Sequence, residues 1–329
     1  MLAESTDRRI DTLIRLLVTN ATVVVPGPKI ASEIGVTRLK VWRWIKKLRS
    51  LGVEITGHHA TGYQLKKIPD VLVPSLIRPE GENEIGQTIV HFFRTDSTNN
   101  AALSLVAQGA AHGTVVVAEE QTAGRGRLGR TWYSEKASGI YASIILRPPL
   151  SPAAAPVLTL MAGLAAQSAV GSTTGLAVDI RWPNDLLVNR KKVCGILTEM
   201  NAEVDRLHAV VLGIGINVNH AQMPPALRET ATSLRIEAQK TWSRVHLAKA
   251  LLEEVGKFYR LLVEQGSAAI TRHWEAASSF AAGKRVRILS PGGEFLATTA
   301  GLEPSGALRV RYEDGREESL VAGEVVEVK

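Results

Sequence analysis

The stretch QTAGRGRLGRTW, residues 121–132, combines glycines and cations in a pattern suited to binding an anion. Its glycines follow the spacing G-x-G-x-x-G, and the residues that form the pattern are Gly124, Arg125, Gly126, Arg127, Gly129 and Arg130. Glycines let a loop move and let its backbone approach a ligand closely. Arginines offer forked donors that fit phosphate or carboxylate oxygens. The pattern predicts a mobile anion-binding loop, and the alternative is an exposed basic turn.

Two common nucleotide-binding motifs are disfavoured at this loop. A dinucleotide-binding fingerprint needs a helix that opens at the third glycine and holds the pyrophosphate at its N-terminus. The following residues, RTWYSEKASG (130–139), make a poor helix and run into a probable strand pattern, GIYASIILRP. The phosphate-loop pattern G-x-x-x-x-G-K-[ST] is absent from the sequence.

The first 68 residues have the layout of a winged helix-turn-helix. The pattern predicts a helix over 5–19, capped by Ser5, Thr6 or Asp7, with Ile10, Leu13, Ile14 and Leu17 on one apolar face. A short helix that ends at Gly35 comes next, and a basic helix follows from an N-cap at Thr37. In that basic helix Val41, Ile45 and Leu48 face inward. VEITGHHATGYQL alternates like two strands around a turn and would form the wing.

Charge supports a polyanion partner for this module. Residues 1–68 hold 12 Lys/Arg and 5 Asp/Glu, so their net charge is +7. This equals the net charge of the whole chain, and residues 69–329 are therefore neutral overall. A basic third helix can enter the major groove. The expected DNA-binding residues are Thr37, Arg38, Lys40, Arg43, Lys46 and Lys47. The alternative is a small helical protein-interaction domain.

The rest of the chain predicts a linker, a mixed α/β domain and a small β-barrel. Residues 69–88 contain three prolines and little periodicity, which is typical of a linker. Residues 89–280 alternate strand and helix patterns, including the small-residue helix APVLTLMAGLAAQSAVGS. Residues 281–329 hold short alternating strands with Gly and Pro turns. The boundaries are therefore 1–68, 69–88, 89–280 and 281–329.

Composition indicates a soluble protein of two or three domains. The chain has 329 residues, 45% of them hydrophobic and 22% charged. Its longest apolar runs, such as SIIL and AVVLGIGI, are short of a membrane span, and the polar N-terminus is unlike a secretory signal. The single cysteine, Cys194, rules out an internal disulfide and a zinc site of several thiolates. We expect a cytoplasmic protein without a membrane partner.

Five motifs, in order and spacing, resemble those of the biotin–protein ligases. They are DSTN (96–99), EQTAGRGRLGRTW (120–132), RWPNDLL (181–187), KKVCGIL (191–197) and GIGINVN (213–219). With the N-terminal winged helix, the chain resembles the bifunctional type that also represses biotin genes. The resemblance implies an α/β (α+β) chain whose central mixed-sheet catalytic domain resembles class II aminoacyl-tRNA synthetases. It also implies synthesis of biotinyl-5′-AMP from biotin and ATP, then transfer of biotin to one lysine of a carrier domain.

The resemblance implies roles for the cationic residues. Arg125 and Arg127 would lie over the biotinyl and phosphate groups when the loop orders, with Arg130 assisting. Closure of the loop would shield the mixed anhydride from water. Lys192 matches the family's active-site lysine and would hold the biotin carboxylate; otherwise it is a surface lysine beside Lys191. Asp185 would orient the acceptor lysine or take its proton, or else it is a structural residue in a turn after Pro183.

The resemblance also implies a binding pocket. Ser97, Thr98, Asn99 and Gln121 would hydrogen-bond the ureido ring of biotin, although Ser97 and Thr98 also suit helix caps. Gly124, Gly126, Trp132, Gly195 and Ile196 would line the pocket, and Asn184 and Asn217 would lie near the nucleotide. Mg²⁺ would accompany ATP, and no His/carboxylate cluster indicates a permanent metal site. Two residues depart from the family: Arg181 stands where many relatives have lysine, and Cys194 where alanine is common.

The implied partners are the biotin carboxyl carrier domain of acetyl-CoA carboxylase, operator DNA and a second copy of the chain. In regulatory relatives the adenylate is the corepressor and promotes dimerisation. Deleting residues 1–68 should therefore abolish DNA binding and spare adenylate synthesis. Two alternatives remain open: a lipoate–protein ligase, and a biotin-sensing repressor without catalysis.

Overall fold

The computed structural model describes residues 8–290 and 293–328. Three units follow one another: a winged helix-turn-helix, a central α/β domain and a C-terminal β-sheet. The predicted caps Ser5, Thr6 and Asp7 lie outside the described residues.

The N-terminal unit has the predicted layout. Its elements are α1 (Arg8–Thr19), α2 (Gly27–Glu33), α3 (Arg38–Arg49), β1 (Ile55–His58) and β2 (Gly62–Leu65). The predicted apolar faces of α1 and α3 are buried in one core. The Thr37 hydroxyl caps α3 by accepting from the Lys40 amide at 3.2 Å. β1 and β2 form the antiparallel hairpin expected of a wing.

The segment 69–88 differs from the predicted linker because it is packed. It contains the short helix α4 (Pro74–Ile77), and Val71, Leu72 and Val73 are almost fully buried. The Leu72 amide donates to Oε1 of Glu119 at 2.7 Å. The prolines break the periodicity of the segment, yet its apolar side chains fill the space between the first two units. We call residues 69–88 the connector.

A seven-stranded mixed sheet forms the centre of the molecule. The strands are β3 (Ile89–Phe92), β4 (Val115–Ala118), β5 (Gly139–Leu146), β6 (Asp179–Arg181), β7 (Asp185–Val188), β8 (Lys191–Ala202) and β9 (Leu207–Asn217). Their order is β3-β4-β5-β9-β8-β7-β6. The β3–β4 pair is parallel and the other pairs are antiparallel.

Helices cover both faces of this sheet. The helices are α5 (Thr98–Ala107), α6 (Val157–Thr174), α7 (Leu234–Ala238), α8 (Arg244–Gln265) and α9 (Ser267–Ala277). α5 packs on one face, against alternate residues of β4, β5 and β9. α6, α8 and α9 share the main core on the other face. α7 was not predicted from the sequence.

Helix α6 lies in a segment with the length and hydropathy of a membrane span, whereas the apolar runs of the sequence were expected to be too short for one. Within the described residues, Pro152–Thr174 is long and apolar enough to cross a bilayer, but most of it is buried in the protein. Small and polar residues interrupt its apolar runs, and they suit close packing on the sheet and on α8. A core helix accounts for this segment.

The C-terminal unit is a five-stranded antiparallel sheet. The strands are β10 (Ala282–Ser290), β11 (Gly293–Leu302), β12 (Leu308–Arg311), β13 (Glu317–Leu320) and β14 (Glu324–Glu327). Their order is β13-β12-β11-β10-β14. The β-rich domain is confirmed, but over the described residues no ladder joins β13 to β14, so the expected barrel is open there. The indole N–H of Trp182 donates to the Gly306 carbonyl at 3.0 Å and ties this unit to the centre.

Candidate active site

A cavity with a volume of about 930 Å³ lies where the central sheet meets the C-terminal unit. Strands β8 and β9 form its floor, and the N-terminus of α5, the loop 121–132 and β14 form its walls. Residues that represent these elements are Ser97, Arg127, Trp132, Lys192, Gly215 and Glu324. The cavity therefore brings together elements from the whole length of residues 97–328.

Bare backbone forms the floor of this cavity. Gly195 and Gly215 face each other across β8 and β9. A Cβ atom at Gly215 would lie 2.6 Å from the Trp132 ring, and one at Gly195 would lie 2.9 Å from both Trp132 and Lys192. At Gly213 a Cβ would lie 2.2 Å from Oδ1 of Asn99. A side chain at any of these positions would displace Trp132, Lys192 or Asn99, so Gly213 and Gly215 join the predicted Gly195 as candidate site residues.

Ile196 lines the cavity, as the resemblance implies. Its side chain, however, is buried in the main core on the opposite face of the sheet. Because strand residues alternate between faces, the placement of Gly195 on the cavity side turns Ile196 away. The Ile196 carbonyl accepts from Nδ2 of Asn184 at 2.8 Å, so its backbone still helps to position a site residue.

The glycine- and arginine-rich loop forms a narrow hairpin, which we call the flap (residues 121–132). The Gly126 amide donates to the Arg130 carbonyl at 2.7 Å, and the Trp132 amide donates to the Gly124 carbonyl at 2.8 Å. One short 3-10 turn, Arg127–Gly129, forms its tip. No α-helix opens at Gly129, which agrees with the poor helix pattern predicted after this glycine.

The three flap arginines contact three different elements. Arg125 pairs with the carboxylate of Glu199 on β8. Arg127 donates to Oδ1 of Asn184 at 3.1 Å. Arg130 pairs with Glu324 of β14 at 2.7 Å. Glu199 and Glu324 were not predicted, although the alternation of β8 places Glu199 on the same face as Gly195 and could have indicated it.

Lys192 and Arg181 share one carboxylate, that of Asp185. Nζ of Lys192 lies 2.5 Å from Oδ1, and Nη2 of Arg181 lies 2.8 Å from Oδ2. Burial alone would raise the pKa of Asp185, but Lys192 and Arg181 lower it below its usual value. Asp185 is therefore ionised at neutral pH and is a weak base. This environment favours an orienting role over proton transfer.

Cys194, beside this cluster, is fully buried, and burial raises the pKa of its thiol to about 12. The thiolate is thus not accessible at neutral pH, and Cys194 is a core residue.

A hydrogen-bond network orders the N-terminus of α5. Oε1 of Gln121 accepts from the amide of Thr98 at 2.8 Å and from its hydroxyl at 3.1 Å. Nδ2 of Asn99 donates to Glu199 at 2.8 Å, and Ser143 donates to Oδ1 of Asn99 at 2.5 Å. Ser143 and Glu199 were not predicted. They hold Thr98, Asn99 and Gln121 in fixed orientations at the cavity wall.

Ser97 occupies the N-cap position of α5, but its side chain makes no capping hydrogen bond. Oδ1 of Asp96 accepts from the Ser97 amide at 2.6 Å instead. Ser97 is therefore the N-cap by position, as predicted, but Asp96 accepts from its amide and Gln121 accepts from the amide of Thr98.

The two asparagines expected near the nucleotide both line the cavity. Both groups of Asn184 are bonded within the protein, to Arg127 and Ile196. Nδ2 of Asn217 donates to the Thr232 carbonyl at 3.0 Å, whereas its buried Oδ1 has no protein partner. A buried acceptor without a partner is costly unless a ligand or water fills it. Oδ1 of Asn217 is thus available to a ligand donor.

The six residues expected to bind DNA do not all face outward on α3. Nη2 of Arg38 donates to the His59 carbonyl of the wing at 3.3 Å. Nζ of Lys40 lies 5.1 Å from the Trp44 ring, and that of Lys47 lies 5.2 Å from the ring of Phe93 in the central domain. Thr37 is the cap. Five of the six residues, Thr37, Arg38, Arg43, Lys46 and Lys47, are exposed and Lys40 is half-buried, so their contact with DNA stays a prediction.

Three family models match the chain, one for each unit. Residues 9–64 match an HTH domain, residues 92–217 the biotin/lipoate A/B protein ligase family, and residues 282–326 the biotin protein ligase C-terminal domain. These ranges follow the three structural units described above.

Full-length relatives are similar along almost the whole chain. The bifunctional ligase/repressor BirA of Bacillus subtilis is 37% identical over 306 residues, which cover 92% of this chain and 94% of the relative. BirA of Escherichia coli is 27% identical, with 91% of each chain covered. The biotin–[acetyl-CoA-carboxylase] ligase of Mycobacterium tuberculosis is 34% identical, covering 72% of this chain and 87% of the relative.

Solved structures are similar over nearly three quarters of the chain. The biotin protein ligase of Aquifex aeolicus in complex with biotin and ATP has a TM-score of 0.63 and 28% identity, covering 73% of this chain and 98% of that one. The Leishmania major biotin protein ligase with biotinyl-5-AMP has a TM-score of 0.51 and 28% identity, covering 72% and 99%.

Proposed function

The chain belongs to the bifunctional biotin–protein ligase and repressor family, and we propose that its cavity joins biotin to AMP and then delivers biotin to a carrier protein. The enzyme is an ATP-dependent biotin–protein ligase. The observation that carries this proposal is the set of cations around one cavity: Lys192 at its floor and Arg125, Arg127 and Arg130 on the flap above. The reaction brings a carboxylate against a triphosphate, so an array of positive charge suits it.

In the first step a carboxylate oxygen of biotin attacks the α-phosphorus of ATP. The bond from that phosphorus to the β-phosphate oxygen breaks, and pyrophosphate leaves with the electron pair. We assign Lys192 to the biotin carboxylate oxygen and Arg127 to the phosphate. The position of Lys192 supports its role, since its ammonium group lies beside Gly195 of the glycine floor and borders the cavity.

We assign the ureido end of biotin to the N-terminus of α5. The ring presents two N–H donors and one carbonyl acceptor, and Ser97, Thr98, Asn99 and Gln121 offer hydroxyl and amide partners. The network through Ser143 and Glu199 fixes their orientation before ligand binds, which lowers the entropy cost of binding. Oδ1 of Asn217 is assigned to a donor of the nucleotide.

In the second step the neutral amine of the acceptor lysine attacks the carbonyl carbon of the adenylate. AMP leaves with the electron pair, and the amine loses a proton. Asp185 is assigned to positioning, because its low pKa makes it a poor proton acceptor. The acceptor is the biotin carboxyl carrier domain of acetyl-CoA carboxylase in this proposal.

Mg²⁺ would enter on ATP and offset charge on the phosphates. Three carboxylates at or beside the cavity are already paired with cations, which fits this arrangement better than a protein-built metal site. Asp185 pairs with Lys192, Glu199 with Arg125, and Glu324 with Arg130. The phosphates would thus supply most of the ligands of the ion.

The winged helix-turn-helix extends the function to transcription. We propose that biotinyl-5′-AMP promotes pairing of two chains in the cytoplasm and that the pair binds a palindromic operator of biotin genes. Linkage then requires the adenylate to bind the pair more tightly than the single chain. The net charge of +7 in residues 1–68 supports the DNA contact.

One experiment separates the ligase from its two alternatives. The full-length protein is mixed with labelled biotin, Mg-ATP and a purified carrier domain, and ATP–pyrophosphate exchange is measured in parallel. A biotin ligase labels the carrier and shows exchange that depends on biotin. Exchange with lipoate instead would identify a lipoate ligase, and biotin binding without any adenylate would identify a sensor without catalysis.

A further inference from the structure

Two large apolar side chains lie exposed on the basic helix α3. Leu39 is 56% exposed and Trp42 is 41% exposed, whereas Val41, Ile45 and Leu48 on the opposite side are buried. Leu39, Trp42, Arg43 and Lys46 follow the spacing i, i+3, i+4 and i+7, which places them on one face. We call these four residues the outer face of α3. Exposed large apolar groups at the centre of a basic face call for a partner that is both anionic and apolar.

Neighbouring elements frame the outer face and leave its centre open. Arg38 bonds the wing at His59, and Arg49 donates to the carbonyls of Ile55 at 3.0 Å and Gly57 at 2.6 Å. On the other side, Lys47 lies over Phe93 of the central domain. Basic groups at both flanks are thus committed to the protein, and the two apolar side chains are the large groups in the first two turns of the outer face.

The ammonium group of Lys46 lies 5.5 Å from the Trp42 ring, which holds the indole against the helix. A major groove offers phosphates along its edges and, on its floor, the C5-methyl group of each thymine as its apolar feature. Residues in the first turns of a recognition helix are those that reach base edges. The outer face matches this arrangement, with cations outside and apolar groups toward the N-terminal half of the helix.

We propose that Leu39 and Trp42 read thymine methyl groups in the major groove, while Arg43 and Lys46 bind the flanking phosphates or guanine edges. This inference rests on the proposed DNA-binding function and adds the chemical feature that is recognised. A second copy of the chain fits the outer face less well. A symmetric contact would bring the Arg43 and Lys46 residues of two copies together, and like charges at an interface are costly.

The test starts from a pool of random duplexes. Duplexes that bind the full-length protein in the presence of biotin and Mg-ATP are isolated and sequenced. Each thymidine in a selected duplex is then replaced, one at a time, by deoxyuridine, which removes only the methyl group. We expect a three- to fivefold loss of affinity at two or more positions, the size of one buried methyl group. Trp42→Ala and Leu39→Ala should each erase the difference between thymine and uracil at some of these positions.

Arg43→Ala is the matched control, because it should weaken binding to both duplexes equally and reduce the salt dependence of binding. Melting temperatures of the variants verify that they fold. The proposal is overturned if uracil substitution has no effect at any position, or if the alanine variants keep the full methyl preference. A change in sedimentation of Trp42→Ala without loss of methyl preference would assign the outer face to self-association. If no DNA is retained at all, the DNA-binding function itself fails.

Discussion

Nζ of Lys192 lies 2.5 Å from Oδ1 of Asp185, and the same carboxylate holds Arg181 through its other oxygen. One half-buried negative charge thus keeps two cations at the floor of the cavity. A ligand carboxylate that binds Lys192 must compete with Asp185 or share the ammonium group with it. The strength of this pair therefore affects how strongly Lys192 can attract biotin.

Lys192→Met should lower biotin-dependent ATP–pyrophosphate exchange by about 10²- to 10³-fold, the loss typical of removing one group that stabilises charge in the transition state. Lys191→Met is the control, since the neighbouring Lys191 also lines the cavity but directs its ammonium group to the Arg228 carbonyl. Equal activity of the two variants would contradict the assignment of Lys192.

Asp185→Asn should slow transfer of biotin from preformed adenylate to the carrier by about 10²-fold, as expected when a positioning group is lost. Rapid mixing of purified adenylate complex with carrier measures this step alone. Asp205→Asn, in the exposed turn between β8 and β9, should transfer normally. A normal rate for Asp185→Asn would leave Asp185 with a structural role only.

Glu199→Gln should tighten biotin binding by up to about fivefold, the worth of a partly exposed ion pair. Glutamine keeps an acceptor for Asn99 but releases Arg125, so the flap arginine becomes free to turn toward the ligand. Calorimetric titration with biotin measures the effect, and Glu203→Gln, paired with His208 at the surface, is the control. Weaker binding in Glu199→Gln would mean that the Glu199 pair holds Arg125 in its working position.

Acid should destabilise the protein as the pH falls from about 4.5 toward 2. Burial alone would raise the pKa of Glu119, but Arg244 and His91 bring it down to about 2. Its stabilising contribution is therefore present above the ordinary value of 4.5 and is lost on protonation at lower pH. Urea unfolding at a series of pH values measures this loss.

In the same assay at neutral pH, Arg244→Met should cost about 3–5 kcal/mol, because it leaves Glu119 buried without its cation. Lys257→Met, which breaks an exposed pair with Glu254, should cost less than about 1 kcal/mol. Similar costs for the two variants would refute the importance of the buried pair.

Deleting residues 1–68 should abolish DNA binding but also lower the melting temperature and solubility. Val71, Val73, Phe93 and Ala137 pack against the N-terminal core and would be exposed by the deletion. Adenylate synthesis should persist at reduced temperature. The double variant Arg43→Ala/Lys46→Ala removes the DNA contact without opening this core, and its melting temperature should be unchanged. A fully stable deletion variant would show that the interface contributes little.

Local patterns in the sequence were sufficient to predict most helices, most strands and the flap. The apolar stripes of α1 and α3 and the Thr37 cap depend on neighbours within a few residues, so periodicity finds them. Periodicity cannot find the partners of the flap arginines. Glu199 lies 74 residues from Arg125, and Glu324 lies 194 residues from Arg130. Gly215 resembles any strand glycine until the Trp132 ring is seen above it. Burial of the connector likewise depends on surfaces supplied by two other units.

Arg244 also holds the connector, and this contact affects how the N-terminal unit is oriented. It is fully buried and bonds Asp70 of the connector as well as Glu119, while Lys136 donates to the Ser50 carbonyl at the end of α3. These contacts fix the angle between the N-terminal unit and the central domain, so the two are not joined by a flexible linker. If two chains pair as proposed, the separation of their two α3 helices is therefore fixed. About five extra base pairs between half-sites, half a helical turn, would place one half-site on the opposite side of the duplex. The second α3 helix could not contact it there.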